Sequence, residues 1–216
     1  MSAPRLFILG AGGHGKVAAD CAAAQGLWSA IEFFDDRWPG LSACADWPVA
    51  GAGADLLRQE HRPCEAFVAI GEAGTRLAWI ERLREAGFEL ATIIHPRAVV
   101  SPGAWIGPGS VIVAGAVVNI GARVEEGVIV NTGATIDHDC ALRAGAHICP
   151  GAHLAGNVEI GRGAWIGVGA AVRQGIKIGA RAVIGAGAAV VQDIGEGVTA
   201  HGVPARPIAE KAKQGR

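Results

Sequence analysis

Residues 112–135 read IVAGAV VNIGAR VEEGVI VNTGAT, four consecutive units of six residues that share one pattern. Each unit opens on an aliphatic residue and has glycine at its fourth position, usually followed by alanine. The opening aliphatic position recurs without a slip through 17 units, as Ile94, Val100, Ile106, Ile112, Val118, Val124, Val130, Ile136, Leu142, Ile148, Leu154, Ile160, Ile166, Val172, Ile178, Ile184 and Val190.

A strict period of six fits neither of the regular isolated elements. An α-helix requires apolar spacing near 3.6 and disfavours glycine at this density, and a flat strand shows uninterrupted alternation. Short parallel strands joined by tight turns do fit, because each coil buries its branched side chain against the next while glycine permits the turn. The segment is therefore predicted to be a parallel β-solenoid.

Composition restricts the classes of function. The 216 residues carry a formal net charge of -1, and their only basic block is the short Lys211–Arg216 tail, which argues against nucleic-acid binding. Five cysteines without a C-x-x-C pair favour reduced thiols. The first apolar run is too short for a signal peptide or a membrane span, so we expect a soluble cytoplasmic protein with a small-molecule substrate.

The first 93 residues begin like a nucleotide-binding βαβ unit. A strand at 5–9 leads into Gly10-Ala-Gly-Gly-His-Gly15 and a helix predicted from Lys16 to about Gln25. Further strands are expected near 30–34, 65–70 and 90–94, a half-sized Rossmann-like domain that is too short for a complete dinucleotide-binding fold. A turn that serves only packing is the alternative. The predicted domains are thus 1–93, the β-helix 94–195 and a C-terminal tail 196–216.

The repeat changes its chemistry at Ile136-Asp-His-Asp-Cys-Ala141. Asp139 takes the position that glycine usually holds, and His138 points outward between two carboxylates. An imidazole with a pKa near 6.5 is suited to accept a proton, and an adjacent carboxylate can orient it. His138 is the predicted general base, with Asp139 or Asp137 as its partner. Alternatively, the aspartate only shapes the turn and the histidine is a solvated surface group.

Several motifs together carry a resemblance that covers nearly the whole chain. They are the glycine-rich start, Phe34-Asp35-Asp36, Ala69-Ile70-Gly71, His95-Pro96 and the hexapeptide repeats. In these the sequence resembles the bacterial nucleotide-sugar N-acetyltransferases, which include GDP-perosamine and UDP-4-amino-sugar N-acetyltransferases; sialic acid O-acetyltransferases share the layout. The resemblance implies a left-handed β-helix of 18 residues per coil, hence about five coils, a homotrimer with sites between subunits, and a role in cell-surface glycan (lipopolysaccharide) synthesis.

The same resemblance implies an activity and a set of site residues. The expected reaction is transfer from acetyl-CoA to the 4-amino group of a nucleotide-linked 4-amino-4,6-dideoxy sugar, without a metal. His138 and Asp139 match the catalytic pair, although some relatives have glutamate in place of Asp139. The sugar-nucleotide contacts are expected at Gly12, Gly13, His14, Asp35, Asp36 and Gly71, and the acetyl-CoA contacts at His147, Gly156, Val168 and Ala186.

Four rival interpretations remain open at this point. The same base could deprotonate a hydroxyl, which would make the protein an O-acetyltransferase. A zinc enzyme would require His138, His147 and His153 to converge, which their spacing disfavours. Cys140 or Cys149 could act as a nucleophile, but Cys140 takes the small inward position of its hexapeptide and Cys149 has no evident base nearby in the repeat. A non-catalytic trimeric scaffold that binds sugar nucleotides is the fourth.

Overall fold

The structure is a computed structural model that describes residues 3–59 and 64–208. Residues 209–216, which include the Lys211–Arg216 block, lie outside the described residues. No helix in the described part of the chain is long and apolar enough to span a bilayer.

The N-terminal part is a small α/β domain built on a largely parallel sheet. The sheet runs β3-β4-β2-β1-β5-β6, with β3 alone antiparallel to its neighbour. The elements in chain order are β1 (Arg5–Leu9), α1 (Gly13–Gln25), β2 (Ala30–Phe34), β3 (Ala43–Cys44), β4 (Trp47–Gly51), α2 (Gly53–Leu56), β5 (Cys64–Val68), α3 (Ala73–Glu85) and β6 (Glu89–Leu90).

Helix α1 begins three residues earlier than the sequence predicted. Gly12 is its N-cap in an extended conformation, and Gly13 to Gly15 already belong to the helix. The turn itself uses only Gly10, which has a φ of 102°. Gly15 is required for a different reason, because a Cβ there would overlap the Gly10 carbonyl oxygen. The run of glycines therefore marks close packing of helix on strand as well as a turn.

From residue 93 the chain winds into a three-sided parallel β-helix. Its strands in chain order are β7 (Ile93–Ile94), β8 (Val99–Val100), β9 (Trp105–Ile106), β10 (Val111–Ile112), β11 (Val117–Val118), β12 (Arg123–Val124), β13 (Ile129–Val130), β14 (Thr135–Ile136), β15 (Ala141–Leu142), β16 (His147–Ile148), β17 (His153–Leu154), β18 (Glu159–Ile160), β19 (Trp165–Ile166), β20 (Ala171–Val172), β21 (Lys177–Ile178), β22 (Val183–Ile184) and β23 (Ala189–Val190). Strands on one face pair with an offset of 18 residues, as in His147 opposite Trp165.

The three faces of the prism differ in what covers them. The docked face (β7, β10, β13, β16, β19, β22) packs against the N-terminal domain, and Ile93, Val111 and Ile129 share one apolar cluster with α1 and β1. The bare face comprises β8, β11, β14, β17, β20 and β23, and the charged face comprises β9, β12, β15, β18 and β21. The aliphatic position of every hexad points inward and forms one continuous core.

The ladder of the docked face continues past residue 195. Strand β24 (Thr199–His201) pairs in parallel with β22, and β25 (Arg206–Pro207) then pairs with β24 in the antiparallel direction. The boundary between the β-helix and the tail at 195 stays a prediction.

Turn geometry explains the glycine at the fourth place of each hexad. Most of these glycines have φ between about 60° and 80°, the left-handed region that disfavours side chains. Asp139, Asn157 and Arg181 occupy the same place with φ of 60°, 58° and 56°. Asp and Asn tolerate this conformation better than most residues.

Candidate active site

The sheet order of the N-terminal domain creates a crevice for a ligand. From β1 the chain passes to β2 on one side and later to β5 on the other, so the connections diverge between β1 and β5. Ligands of open α/β sheets bind outside the carboxyl ends of the strands at such a point. The turn at 10–15 and the turn at 70–72 both lie there, and a Cβ on Gly10 would stand 3.0 Å from the Ala69 carbonyl oxygen.

The predicted sugar-nucleotide residues border this crevice. Gly12 and Gly13 face open space, with no atom within 4 Å of an added Cβ. The Asp35 carboxylate accepts a hydrogen bond from the Ala11 N–H at 2.8 Å and pairs with Arg37 at 2.7 Å. The hydrogen bond from Arg37, with those from the Ala11 and Arg37 backbone, holds the pKa of Asp35 well below its usual range. The Asp36 carboxylate accepts from the Gly53 N–H at 3.0 Å.

The half-buried His14 and the buried His147 meet where the domain docks on the β-helix. The rings of His14 and His147 lie 6.4 Å apart, and His147 also packs edge-on against Trp165 at 4.2 Å. Burial, then the charge of Arg76, lowers the pKa of His14 to about 4. Burial, then the charges of His14 and Arg76, lowers the pKa of His147 to about 3. Both rings are therefore neutral at physiological pH.

The hydrogen bonds of Asn131 fix the tautomer of His147. The Asn131 Oδ1 accepts from the Thr132 N–H at 2.8 Å, so its Nδ2 donates to the His147 Nε2 at 3.2 Å. A neutral imidazole that accepts at Nε2 carries its proton on Nδ1. That Nδ1–H is buried and has no acceptor among the described residues.

His138 lies at the corner between the bare and the charged faces, in the turn from β14 to β15. Its Nδ1 is 2.9 Å from Asp139 Oδ2, and its backbone N–H donates to Asp137 Oδ1 at 2.8 Å. The hydrogen bond that His138 donates to Asp139, then the charges of Asp137 and Asp139, raises the pKa of His138 above its ordinary 6.5. The side chain is 57% exposed, so this is the accessible imidazole of the predicted site.

Gly156 stands directly beside the His138 ring, one coil further along. A Cβ at Gly156 would overlap the Nε2 and Cε1 atoms of His138. The Gly156 N–H donates to no group in the described part of the chain. The structure thus brings together an imidazole Nε2, its carboxylate partner at Nδ1, and a backbone donor at 156.

The other predicted acetyl-CoA residues lie elsewhere on the prism. Val168 and Ala186 are exposed and stack 18 residues apart at the corner between the docked and the bare faces. His147 belongs to the docked face. Because the docked face and the corner of His138 lie on opposite sides of the triangular section, one chain does not bring His138 to its own crevice.

The structure also bears on the metal and cysteine alternatives. Among residues 3–59 and 64–208, no group of three histidine, cysteine, aspartate or glutamate side chains could hold a metal ion. Cys140 is buried and directs its Sγ to the Ala155 carbonyl oxygen, and burial raises its pKa. Burial likewise raises the pKa of Cys149 to about 11. A thiolate nucleophile is therefore disfavoured at both positions.

Arg76, in the first turns of α3, lies beneath the turn at 70–72. Arg76 is completely buried and donates four hydrogen bonds, all to backbone carbonyls, of Ile70, Gly71, Gly127 and Gly145. Neither this role nor the contact of His14 with His147 could be found without the docking of the two domains. The contact of His147 with Trp165 could be predicted from the sequence, because residues 18 apart lie next to each other on one face of the β-helix.

Comparison with known proteins identifies both halves of the chain. Residues 5–83 match the PglD N-terminal domain family, and residues 157–192 match the bacterial transferase hexapeptide family. A stretch of 106 residues aligns at 37% identity with the UDP-N-acetylbacillosamine N-acetyltransferase of Bacillus subtilis. That alignment covers 49% of this chain and 49% of the relative, so it spans about half the length of that protein.

Solved structures match over nearly the whole chain. The acetyltransferase domain of PglB from Neisseria gonorrhoeae, in complex with acetyl coenzyme A, superposes with a TM-score of 0.92 at 45% identity, covering 96% of this chain and 100% of that one. PerB from Caulobacter crescentus, in complex with CoA and GDP-perosamine, gives 0.89 at 38% identity, covering 94% and 97%. The chain therefore belongs to the bacterial nucleotide-sugar N-acetyltransferases, with an N-terminal α/β domain followed by a left-handed β-helix of hexapeptide repeats.

Proposed function

We propose that the protein transfers the acetyl group of acetyl-CoA to the 4-amino group of a nucleotide-linked 4-amino-4,6-dideoxy sugar, GDP-perosamine or a UDP-linked amino sugar. The observation that carries the proposal is the pairing of His138 Nδ1 with Asp139 at 2.9 Å, which leaves Nε2 free beside Gly156. We expect the reaction in the cytoplasm, where it would serve cell-surface glycan synthesis.

The chemistry follows from this geometry. The amine attacks the thioester carbonyl carbon, a C–N bond forms, the C–S bond breaks, and His138 Nε2 takes the proton that the nitrogen loses. Asp139 keeps the Nδ1 proton in place and stabilises the imidazolium, as in other carboxylate–imidazole pairs. The free Gly156 N–H is a candidate donor to the thioester oxygen as negative charge develops there. The proton then passes to the CoA thiolate.

A homotrimer would complete the site. Within its strands the bare face directs no Asp, Glu, Lys or Arg outward; the outward strand residues are Val99, Val117, Thr135, His153, Ala171 and Ala189. The charged face instead carries Arg123, Glu159 and Lys177. The docked face is covered by the N-terminal domain along β7, β10 and β13. The bare face is thus the one suited to pack about a threefold axis.

The trimer would also bring together, from two subunits, the site residues that lie far apart in one chain. If three prisms turn their bare faces to a common axis, the corner of each that bears His138 adjoins the neighbour's docked–bare corner. His138 and Gly156 of one subunit then face the other predicted acetyl-CoA residues, His147, Val168 and Ala186, and the nucleotide crevice of the next. Light scattering tests this arrangement, and a clean monomer at working concentration would contradict it.

The activity is tested by thiol release from acetyl-CoA with a panel of GDP- and UDP-linked 4-amino sugars, together with hydroxyl sugars of the same nucleotides. We expect turnover with an amino sugar and an amide product by mass spectrometry. His138→Asn should lose turnover while it still binds acetyl-CoA and the sugar nucleotide. His201→Asn, at an exposed histidine of β24, is the matched control. Turnover of hydroxyl sugars alone would establish O-acetylation instead, and binding without turnover would support the scaffold.

A further inference from the structure

Arg76 is a buried cation whose charge is not matched by any carboxylate in contact with it. It sits in the first turns of α3, is 0% exposed, and forms no ion pair within the described part of the chain. Burying a charge without an ion pair is costly, and here four backbone carbonyls offset the cost, with the charge of Glu72 nearby but not in contact. Such an arrangement calls for an explanation beyond packing.

The hydrogen bonds of Arg76 fix the orientation of two successive peptide units. Nη1 donates to the Ile70 carbonyl oxygen at 2.7 Å and to the Gly71 carbonyl oxygen at 2.8 Å. Both peptides are trans, and in a planar trans peptide the N–H points away from the C=O. The N–H groups of Gly71 and Glu72 are therefore directed away from Arg76.

These two N–H groups have no protein acceptor among the described residues. The Glu72 side chain is already engaged elsewhere, since its carboxylate accepts from the N–H groups of Gly74 at 2.8 Å and Thr75 at 2.6 Å. No atom lies within 4 Å of a Cβ added to Gly71. Gly71 and Glu72 line a cleft of about 520 Å³ together with His147 and Trp165, a volume typical of small-molecule sites.

A second, independent observation at the same cleft points to a polar ligand, at the place where the predicted sugar-nucleotide contact Gly71 adjoins His147, a predicted acetyl-CoA contact. His147, which is only 8% exposed, carries a buried Nδ1–H that has no acceptor in the described chain. Buried donors are rarely left unpaired in native proteins. The cleft is therefore bordered by two main-chain N–H groups without a protein acceptor and by His147, and the charge of Arg76 favours an anionic acceptor beside the main-chain donors.

We propose that Arg76 is a positioning residue for the sugar nucleotide: by holding the Ile70 and Gly71 carbonyls, it presents the N–H groups of Gly71 and Glu72 to the diphosphate. Its bonds to Gly127 O at 2.8 Å and Gly145 O at 2.6 Å fix the same turn against the coils that precede His147. The inference rests on the proposed function for the identity of the ligand. It assigns no direct contact between Arg76 and the substrate.

The test compares Arg76→Met and Arg76→Lys with Arg84→Met. Arg84 lies on the same helix and makes an ion pair with Glu126 across the same domain boundary, but it does not touch residues 70–71. UDP, GDP and CoA are titrated calorimetrically against each protein. We expect Arg76→Met to bind the preferred nucleoside diphosphate roughly tenfold to a hundredfold more weakly, with CoA affinity within twofold of wild type. KM for the sugar nucleotide should rise while kcat at saturation is retained, and Arg76→Lys should be intermediate.

The inference would be overturned if Arg76→Met lost equal affinity for the nucleoside diphosphate and for CoA, or if Arg84→Met lost as much affinity as Arg76→Met. Either result would indicate a role in domain docking alone. Because Arg76→Met removes four buried hydrogen bonds and so threatens folding, wild-type protein provides a second measurement by amide hydrogen exchange. Adding UDP or GDP should slow exchange at Gly71 and Glu72, and CoA should not. Unchanged exchange there would refute the proposal. Protection without turnover of any amino sugar would refute only the proposed reaction.

Discussion

His138 and His147 lie nine residues apart, in neighbouring hexads, yet they occupy opposite kinds of environment. His138 is exposed at a corner, bonded to Asp139, and its pKa is raised. His147 is buried under the N-terminal domain, bonded to Asn131, and its pKa is lowered to about 3. The regular coil positions both, but only their neighbours decide that one is suited to proton transfer and the other to a fixed neutral contact.

Replacing each histidine by alanine should separate the two roles most strongly. His138→Ala should reduce kcat by about 10²–10⁴-fold through loss of the base, with the free energy of unfolding within about 0.5 kcal/mol of wild type because the side chain is exposed. His147→Ala should lower that free energy by about 3 kcal/mol, since it leaves a cavity against Trp165. Denaturant unfolding and thiol release measure both quantities. A large loss of stability in His138→Ala would contradict the comparison.

Acid should destabilise the protein through His14 and His147. The pKa values of His14 and His147 in the folded protein are about 4 and about 3, below the ordinary 6.5. Between these folded-state pKa values and 6.5, the unfolded chain binds more protons than the folded protein does. The free energy of unfolding is therefore highest above about pH 6.5 and decreases as the pH falls below it. The slope is about 1.4 kcal/mol per pH unit for each histidine.

Unfolding curves at pH 7, 6 and 5 check this slope, with His147→Gln as the variant. The variant should show about half of the wild-type loss, because only His14 then remains to titrate in the window. An identical slope in wild type and variant would mean that burial does not hold His147 neutral.

Gly156→Ala should damage the reaction without disturbing the core. The added methyl group would overlap the His138 imidazole and displace it. A displacement of about 1 Å costs about a hundredfold in rate. Gly195→Ala is the control, because its Cβ would meet only Val198 at an ordinary 3.6 Å. If kcat survived in Gly156→Ala, the ring position in the structure would not be the reactive one.

Asp139→Asn should shift the pH dependence of the reaction. A general base works when deprotonated, so kcat/KM should rise with pH through a pKa above 6.5, the direction in which Asp139 moves His138. Without the carboxylate that limb should move to lower pH, and kcat should fall by up to about 10⁴-fold because the tautomer and the imidazolium are no longer stabilised. His147 should not contribute to the pH dependence of kcat/KM near neutral pH, because its pKa is about 3. An unmoved limb in Asp139→Asn would favour Asp137 as the partner.

The two halves of the site differ in how much of them the sequence could predict. The hexad register predicts every strand of the β-helix, and an offset of 18 predicts that residue 156 stacks on residue 138. The broken glycine rule at Asp139 marks a change of residue in a turn of the usual geometry, since Asp139 keeps a φ of 60°. By contrast, the contact between His14 and His147 and the bonds of Arg76 depend on how the α/β domain docks. That docking is determined by apolar packing among distant segments, which leaves no local pattern in the sequence.

Asp139→Gly gives the smallest effect and separates the turn from the chemistry. Asp139 has a φ of 60°, where a side chain costs about 1 kcal/mol relative to glycine. The substitution restores the residue that the repeat uses elsewhere, so the free energy of unfolding should rise by up to about 1 kcal/mol while kcat falls as in Asp139→Asn. Arg181→Gly, at the equivalent φ of 56°, should give the stabilisation without the loss of activity. A destabilised Asp139→Gly would indicate that the carboxylate holds the turn, and would weaken its assignment as the partner of the base.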